Sequence, residues 1–145
     1  MSRLYHSGFV SGGVAIGDLN GDQRPDLFFT SGPDSNRLYL QTANFKFEDA
    51  TEKAGVGGGT AWGAGANLID IDNDGDLDIY VCNYATNNQL FINQGNGQFT
   101  EQAEPFGLGV ADASLVPAFC DYDCDGDLDL YIVTLRYYRE GGRPT

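Results

Sequence analysis

The sequence predicts an all-β fold made of β-propeller-type blades, each a sheet of four antiparallel strands. Three aspartate-rich loops recur at nearly equal intervals, beginning at Asp18, Asp70 and Asp121. Short apolar runs of β-type residues lead into and out of each loop, and glycine-rich turns separate the runs that follow. A period of roughly 50 residues with four strands in each unit is typical of propeller blades.

The first repeat occupies about residues 12–59. Residues 13–17 lead into the first loop and residues 27–30 lead out of it, which predicts a hairpin closed around the loop. A dense cluster of turn-forming residues follows, and residues 37–41 and 45–49 then form the third and fourth strands.

The second repeat, about residues 60–109, restates this order. Its four strands are predicted at residues 63–69, 77–81, 88–93 and 98–101. The connectors that follow the fourth strands of the two repeats, residues 51–56 and 103–108, each contain a glycine within one turn. Glycine disfavours helix, so neither connector is predicted to be helical.

The third repeat, about residues 110–145, is partial. Residues 114–120 enter the third loop and residues 128–133 leave it, but the rest of the chain does not restate the third and fourth strands. The single repeat domain, 1–145, thus holds about two and a half blades, whereas closed propellers contain about 4 to 8. We expect a propeller fragment, a ring completed by oligomerisation, or an open array. Because an open sheet edge promotes pairing, self-association is predicted.

The aspartate-rich loops have the spacing of calcium-binding loops. Residues 70–78 place five carboxylates in nine residues, and a cation would relieve their mutual repulsion. Ca²⁺ takes 6 to 8 oxygen ligands, including side chains at alternate loop positions and a backbone carbonyl at position 7. Gly75 fits the sharp bend at position 6. The predicted metal-binding residues are Asp70, Asp72, Asp74, Asp76 and Asp78, then Asp121, Asp123, Asp125, Asp127 and Asp129, then Asp18, Asn20, Asp22, Arg24 and Asp26.

Two to three Ca²⁺ per chain are therefore expected, with the weakest binding in the first loop. That loop has Gln23 in place of the glycine, Asn20 in place of an aspartate, and the cationic Arg24 at position 7. An EF-hand is excluded because its Glu at position 12 is absent and the flanking runs are β-type. Asx turns without metal remain open, as does a softer metal held by Cys120 and Cys124.

Composition excludes other classes of function. The net charge is −13, 13 of the 21 acidic residues lie in the three loops, and no basic stripe is available for nucleic acid. No apolar run of about 18 residues predicts a membrane span. The first residues do not form a signal peptide, although calcium favours an extracellular or periplasmic location. The three cysteines, Cys82, Cys120 and Cys124, allow at most one internal disulfide.

The loops and their surroundings resemble the FG-GAP/VCBS repeat family, which forms the blades of integrin α-subunit propellers. The resemblance rests on Gly-Val-Ala-Ile-Gly-Asp at 13–18, Asp-Leu-Asp-Ile-Tyr-Val at 76–81, and Phe-Glu-Asp-Ala-Thr-Glu-Lys-Ala-Gly-Val at 47–56. Within that family, the arrangement of loops and strands most resembles the repeats associated with the ASPIC/UnbV group. The resemblance implies a seven- or eight-bladed propeller with Ca²⁺ in the blade hairpin loops, serving adhesion, ligand binding or scaffolding.

We therefore expect a calcium-binding repeat protein that binds a protein or carbohydrate ligand and is not an enzyme. The alternative is a carbohydrate-active enzyme, a lyase or glycosidase, whose only clustered candidate carboxylates are Glu48, Asp49, Glu101 and Glu104. A truncated fragment without separate function is a third possibility. His6 is the only histidine, which argues against a Ser-His-Asp triad and a His-based zinc site. The aromatic residues considered for ligand contact are Trp62, Tyr84, Tyr137 and Tyr138.

Overall fold

The computed structural model describes residues 12–32 and 34–135, and over these ranges the prediction of an all-β fold is confirmed. The strands form two antiparallel sheets, one of four strands and one of six. The sheets are compatible with propeller-like blades and do not close into a ring within the described residues. No helix in this part of the chain is long and apolar enough to cross a membrane.

The first sheet is a simple meander in which each strand pairs with the next along the chain. Alternate side chains along it are buried, because one face packs against the next repeat: Phe28 and Leu38 lie opposite each other and are both fully buried. Its strands are β1 (Val14–Gly17), β2 (Asp26–Phe29), β3 (Arg37–Ala43) and β4 (Lys46–Asp49).

The second sheet joins the strands of the second and third repeats. Strand β9 (Ala111–Cys120) pairs with β10 (Asp129–Thr134) and also with the far end of β6 (Asp78–Asn87), where Tyr84 lies opposite Ala113. Strand β6 is longer than predicted because Asn83 and Tyr84 pair with β5, and Tyr84, Thr86 and Asn87 pair with β9. The strands are β5 (Trp62–Ile69), β6 (Asp78–Asn87), β7 (Gln89–Asn93), β8 (Phe99–Glu101), β9 (Ala111–Cys120) and β10 (Asp129–Thr134).

The prediction that neither connector is helical is wrong for the first connector, residues 51–56. Residues Thr51–Ala54 form a single helical turn, α1, which ends at Gly55 with a φ of 78°. Tertiary packing outweighs the glycine, since Thr51 and Ala54 are buried and the Thr51 hydroxyl accepts a hydrogen bond from the Leu38 N–H. Gly55 supplies the left-handed residue that ends the helix.

The hydrophobic core consists of two clusters, each between successive repeats. The first contains Phe28 and Leu38 of the first repeat and Ile79 and Val81 of the second. The second contains Tyr80, Cys82, Leu90 and Ile92, against which Phe119, Leu130 and Ile132 of the third repeat pack. The three cysteines are free thiols, and burial raises the pKa of Cys82 to about 12. The hydrophobic clusters therefore place each repeat face to face with the next repeat along the chain.

Candidate metal-binding loops

The three loops connect the first strand of each repeat to the second, and they share one backbone conformation. In every loop the residues at positions 4 and 6 have a positive φ. Residues other than glycine rarely adopt this left-handed backbone conformation. The loops therefore belong to one structural class, although their residues at these positions differ. The angles are 75° at Gly21 and 65° at Gln23, 58° at Asn73 and 95° at Gly75, and 60° at Cys124 and 99° at Gly126.

The first loop carries its glycine at position 4, so a strained glutamine remains at position 6. A non-glycine residue in the left-handed region costs about 1 kcal/mol or more. We expect Gln23→Gly to raise the free energy of unfolding by about 1 kcal/mol, measured by urea denaturation. Gly21→Ala, at the other left-handed position of the same loop, should lower it. A destabilised Gln23→Gly variant would contradict this assignment of strain.

The aspartate at position 1 closes each loop by accepting backbone hydrogen bonds. Asp70 accepts from the N–H groups of Asp74 and Gly75, both at 3.0 Å. Asp121 makes the same two bonds in the third loop, at 3.1 and 3.2 Å. Both side chains are thus held toward the loop interior by the loop backbone, as in Asx turns.

Asp18 makes more of these bonds than its counterparts. It accepts from the N–H groups at loop positions 3, 4 and 5 on one oxygen and from Gln23 at 2.6 Å on the other. Desolvation raises the pKa of Asp18, but these backbone hydrogen bonds, led by that of Gln23, outweigh it and hold the pKa below its usual value. The first loop is therefore closed largely by its own backbone.

Carboxylates at positions 1, 3 and 9 meet in the second and third loops. One oxygen each from Asp70, Asp72 and Asp78 lies within 4.8 Å of the others, and the same holds for Asp121, Asp123 and Asp129. Three carboxylate oxygens this close repel one another and form the all-oxygen donor set that Ca²⁺ prefers. The residues present in both loops fit a calcium ion.

The predicted ligands at positions 5 and 7 lie in a different arrangement. Asp74 accepts a hydrogen bond from the Asp76 N–H at 2.9 Å, and Asp125 accepts one from the Asp127 N–H at 3.0 Å. Neither position joins the clusters found among the described residues. Their place as ligands, by side chain at 5 and by carbonyl at 7, stays a prediction.

The first loop contains no comparable cluster in the described part of the chain. The Asp22 carboxylate instead pairs with the Arg24 guanidinium at 2.5 Å and accepts a hydrogen bond from the Asn20 amide at 3.2 Å. Arg24 is anchored by a second bond, from its Nε to the Gln41 carbonyl. An internal cation thus offsets the charge that a metal ion would otherwise offset, and this loop fits Ca²⁺ less well.

In the first two repeats, the aspartate at position 9 links the hairpin to the third strand of the same repeat. Asp78 is fully buried and accepts hydrogen bonds from the Ile71 N–H at 3.0 Å and the Asn93 N–H at 2.8 Å. Asp26 is equally buried and makes the equivalent bonds with Leu19 and Gln41. Asp129 is exposed, and within residues 12–32 and 34–135 its carboxylate accepts only the loop hydrogen bond, from the Tyr122 N–H. The position therefore has a structural role in addition to its place in the carboxylate cluster.

Two residues that sequence reasoning missed, Gln41 and Asn93, occupy equivalent places on the third strands. The Asn93 side chain donates to the carbonyls of Leu19 and Leu77, at 3.1 and 3.2 Å. Hydrogen bonds thereby run from Asp26 through Leu19 and Asn93 to Asp78, linking the first two loops. The available signal was the shared spacing, since each amide residue lies 15 positions after its loop's last aspartate.

Burial raises the pKa of the two buried carboxylates at position 9, Asp78 and Asp26. Desolvation raises the pKa of Asp78 to about 6, assisted by the charges of Asp72 and Asp74 and opposed by the two backbone hydrogen bonds. Desolvation likewise raises the pKa of Asp26. Ionisation of Asp78 therefore destabilises the metal-free fold. A bound cation would offset this loss of stability.

The raised pKa gives a stability dependence with a definite sign. Protonation favours the fold, so this contribution is fully present below the unfolded pKa, 3.8, and is lost as the pH rises through about 6. In chelator, we expect wild-type stability relative to Asp78→Asn to fall by about 2 kcal/mol between pH 4 and pH 7. Urea denaturation of both proteins across this range checks it. A constant difference between them would contradict the raised pKa.

Two of the aromatic residues considered for ligand contact, Trp62 and Tyr84, lie in the described part of the chain. Trp62 is partly buried against Gly32, where an added Cβ would lie 3.1 Å from the ring, and it lies opposite Tyr84 across β5 and β6. This placement indicates packing between the first two repeats. Tyr137 and Tyr138 lie outside the described residues.

Comparison with known protein families shows that the part of the chain containing the three loops matches a known type of repeat. The FG-GAP-like repeat matches residues 18–81 and again residues 70–132, which together cover more than half of the chain and all three loops.

Cartilage acidic protein 1 of three organisms is similar to most of this chain, but only over a small part of its own length. Cartilage acidic protein 1 of Homo sapiens is 26% identical over 129 residues, covering 86% of this chain and 19% of that protein. Cartilage acidic protein 1 of Mus musculus is 26% identical and that of Xenopus tropicalis 25% identical, each with 20% of the relative covered. The chain thus spans about a fifth of the length of the curated relatives it matches.

Proposed function

Because the chain belongs to the FG-GAP-like repeat family, we propose that it is a calcium-binding repeat module with a binding, adhesion or scaffolding role. The observation that carries the proposal is the pair of three-carboxylate clusters at equivalent positions of the second and third loops. An acidic cluster alone is a common surface feature, but here two clusters recur on one backbone conformation within a repeat of known type.

Calcium has a structural role in this proposal. Asp70, Asp72 and Asp78 would hold the ion in the second loop, and Asp121, Asp123 and Asp129 would hold it in the third. The bound ion supplies positive charge where the carboxylates repel one another, so the hairpin loop stays closed against the sheet. The first loop, neutralised in part by Arg24, is proposed as the weakest site.

The carboxylates considered for catalysis support a module that is not an enzyme. Asp49 accepts a hydrogen bond from the Thr51 N–H and pairs with Arg37, and its hydrogen bonds with Thr51 hold its pKa below the usual value. Glu101 accepts from the N–H groups of Leu90 and Ala103. Glu104 accepts from the Asn87 side chain. These hydrogen bonds give the three carboxylates structural roles, and the lowered pKa of Asp49 is the opposite of what a general acid would need.

The proposed setting is extracellular or periplasmic, where calcium is abundant. The similar proteins bear a name that refers to cartilage and to acidity, and this chain carries a net charge of −13. We propose a protein or carbohydrate ligand as partner, and self-association of the chain as a second mode of assembly.

The proposal is tested by removing one carboxylate of a cluster. Asp72 is exposed, so Asp72→Asn should not disturb the metal-free fold, and the melting temperature in chelator should stay within about 2 °C of wild type. In calcium, the variant should melt well below wild type because its second loop has lost a ligand. Differential scanning calorimetry in both buffers measures these values.

The matched control is Asp34→Asn, which removes the same charge from an exposed turn outside the loops. It should behave as wild type in both buffers. If calcium raises the melting temperature of Asp72→Asn as much as that of wild type, the proposed site is contradicted.

A further inference from the structure

In the described part of the chain, the two outer faces of the repeat array expose apolar side chains, whereas the equivalent positions inside the array are buried or partly buried. The N-face comprises Val14, Ile16 and Phe29 on β1 and β2; Ile16 is 62% exposed. The C-face comprises Val116, Tyr131 and Val133 on β9 and β10; Tyr131 is 72% exposed. We propose that the N-face of one copy binds the C-face of another, so that chains associate head to tail. This deepens the self-association proposed above.

The N-face matches the surfaces that pack against a preceding repeat within the chain. In the second repeat, the opposed pair Leu68 and Ile79 packs into the first core cluster. In the third repeat, the equivalent pair, Phe119 and Leu130, packs into the second cluster. The same pair in the first repeat is Ile16 and Leu27, and it lies on the N-face.

The C-face matches the surfaces that pack against a following repeat. Phe28 of the first repeat and Tyr80 of the second occupy equivalent positions, and both are fully buried in the clusters between repeats. Tyr131 occupies the same position in the third repeat. The Tyr80 ring packs edge to face against Phe119, with ring centroids 5.3 Å apart and an interplanar angle of 84°.

The two faces are therefore the two halves of an interface that the chain already makes twice. By this equivalence, Tyr131 of one copy would pack against Ile16 of a second copy, as Tyr80 packs against Phe119. Such an interface is heterologous, because different surfaces of identical chains meet. The described C-face is two strands wide, narrower than the four-stranded face of the second repeat, so we expect weak association that increases with concentration.

The proposal is tested by sedimentation velocity on the full chain from micromolar to submillimolar concentration. Wild type should associate reversibly. Ile16→Asp and Tyr131→Asp should each weaken association by about tenfold or more, because a charge would have to be buried in the contact. Both positions are exposed, so the variants should remain folded, which circular dichroism checks.

Mixing the two variants gives the decisive result. Ile16→Asp retains its C-face and Tyr131→Asp retains its N-face, so a head-to-tail contact restores a 1:1 dimer in the mixture. Phe45→Asp is the matched control, because Phe45 is 92% exposed at the β3–β4 turn and lies on neither face; it should associate as wild type. Wild-type chains that are monomeric at every concentration, or a mixture that stays monomeric, would overturn the proposal.

The experiment separates this inference from the calcium proposal when it is run in calcium and in chelator. Calcium binding without association would overturn the head-to-tail contact alone. Association of a chain that binds no calcium would support the contact and overturn the calcium proposal.

Discussion

Asp78→Ala is expected to lower the free energy of unfolding by about 2 to 4 kcal/mol in chelator, and by more in calcium, where the second loop also loses a proposed ligand. The carboxylate is fully buried and accepts hydrogen bonds from the Ile71 and Asn93 N–H groups. Truncation leaves two buried donors without an acceptor, and each costs about 1 to 3 kcal/mol. Because the raised pKa makes the ionised side chain unfavourable at neutral pH, the full loss should appear near pH 5.

Urea denaturation at pH 5 measures this loss, and Asp129→Ala is its matched control. Asp129 occupies the same loop position but is exposed, and among the described residues it accepts a hydrogen bond from Tyr122 alone. In chelator its substitution should cost less than about 1 kcal/mol, because water can replace the lost acceptor. Equal losses in the two variants would show that burial and the bond to the third strand contribute nothing.

Removal of calcium is expected to have a comparable effect on the wild-type chain. At a free calcium concentration about 100 times the dissociation constant, each independent site adds about 2.7 kcal/mol, so two sites add about 5 kcal/mol. The physical source is the repulsion within the two carboxylate clusters, which the ion relieves. Thermal melts over a calcium series, starting from protein stripped by chelator, measure the effect.

Sodium chloride separates specific binding from general screening. Salt at matched ionic strength screens the net charge of −13 but does not occupy a loop, so it should raise the melting temperature much less than calcium does. Magnesium, which prefers octahedral geometry and retains its waters, should fall between them. A sodium chloride effect as large as that of calcium would contradict specific sites.

The all-β class and the strand order within each repeat followed from local patterns. The position of Gly75, for example, predicted a positive φ, and the structure has 95° there. Short apolar runs of β-type residues on both sides of each loop predicted hairpins. These features depend on residues close together in the chain, so the sequence carries them directly.

Features that depend on distant residues were not predicted. Asn93 links two loops through a carbonyl 74 residues away, and nothing near Asn93 in the sequence indicates that partner. The far end of β6 is a strand because β9 pairs with it, and α1 forms because Thr51 and Ala54 are buried. The burial of Asp78, which raises its pKa, also arises from tertiary packing.

The most direct test of the central claim is a calorimetric calcium titration of the chelator-stripped chain. The account predicts two strong sites per chain, from the second and third loops, and at most one weaker site from the first. The double variant Asp72→Asn with Asp123→Asn should lose both strong sites while remaining folded in chelator. A wild-type chain that shows no binding heat and no calcium-dependent shift in melting temperature would mean that the loops are closed by Asx turns alone, contradicting the calcium account.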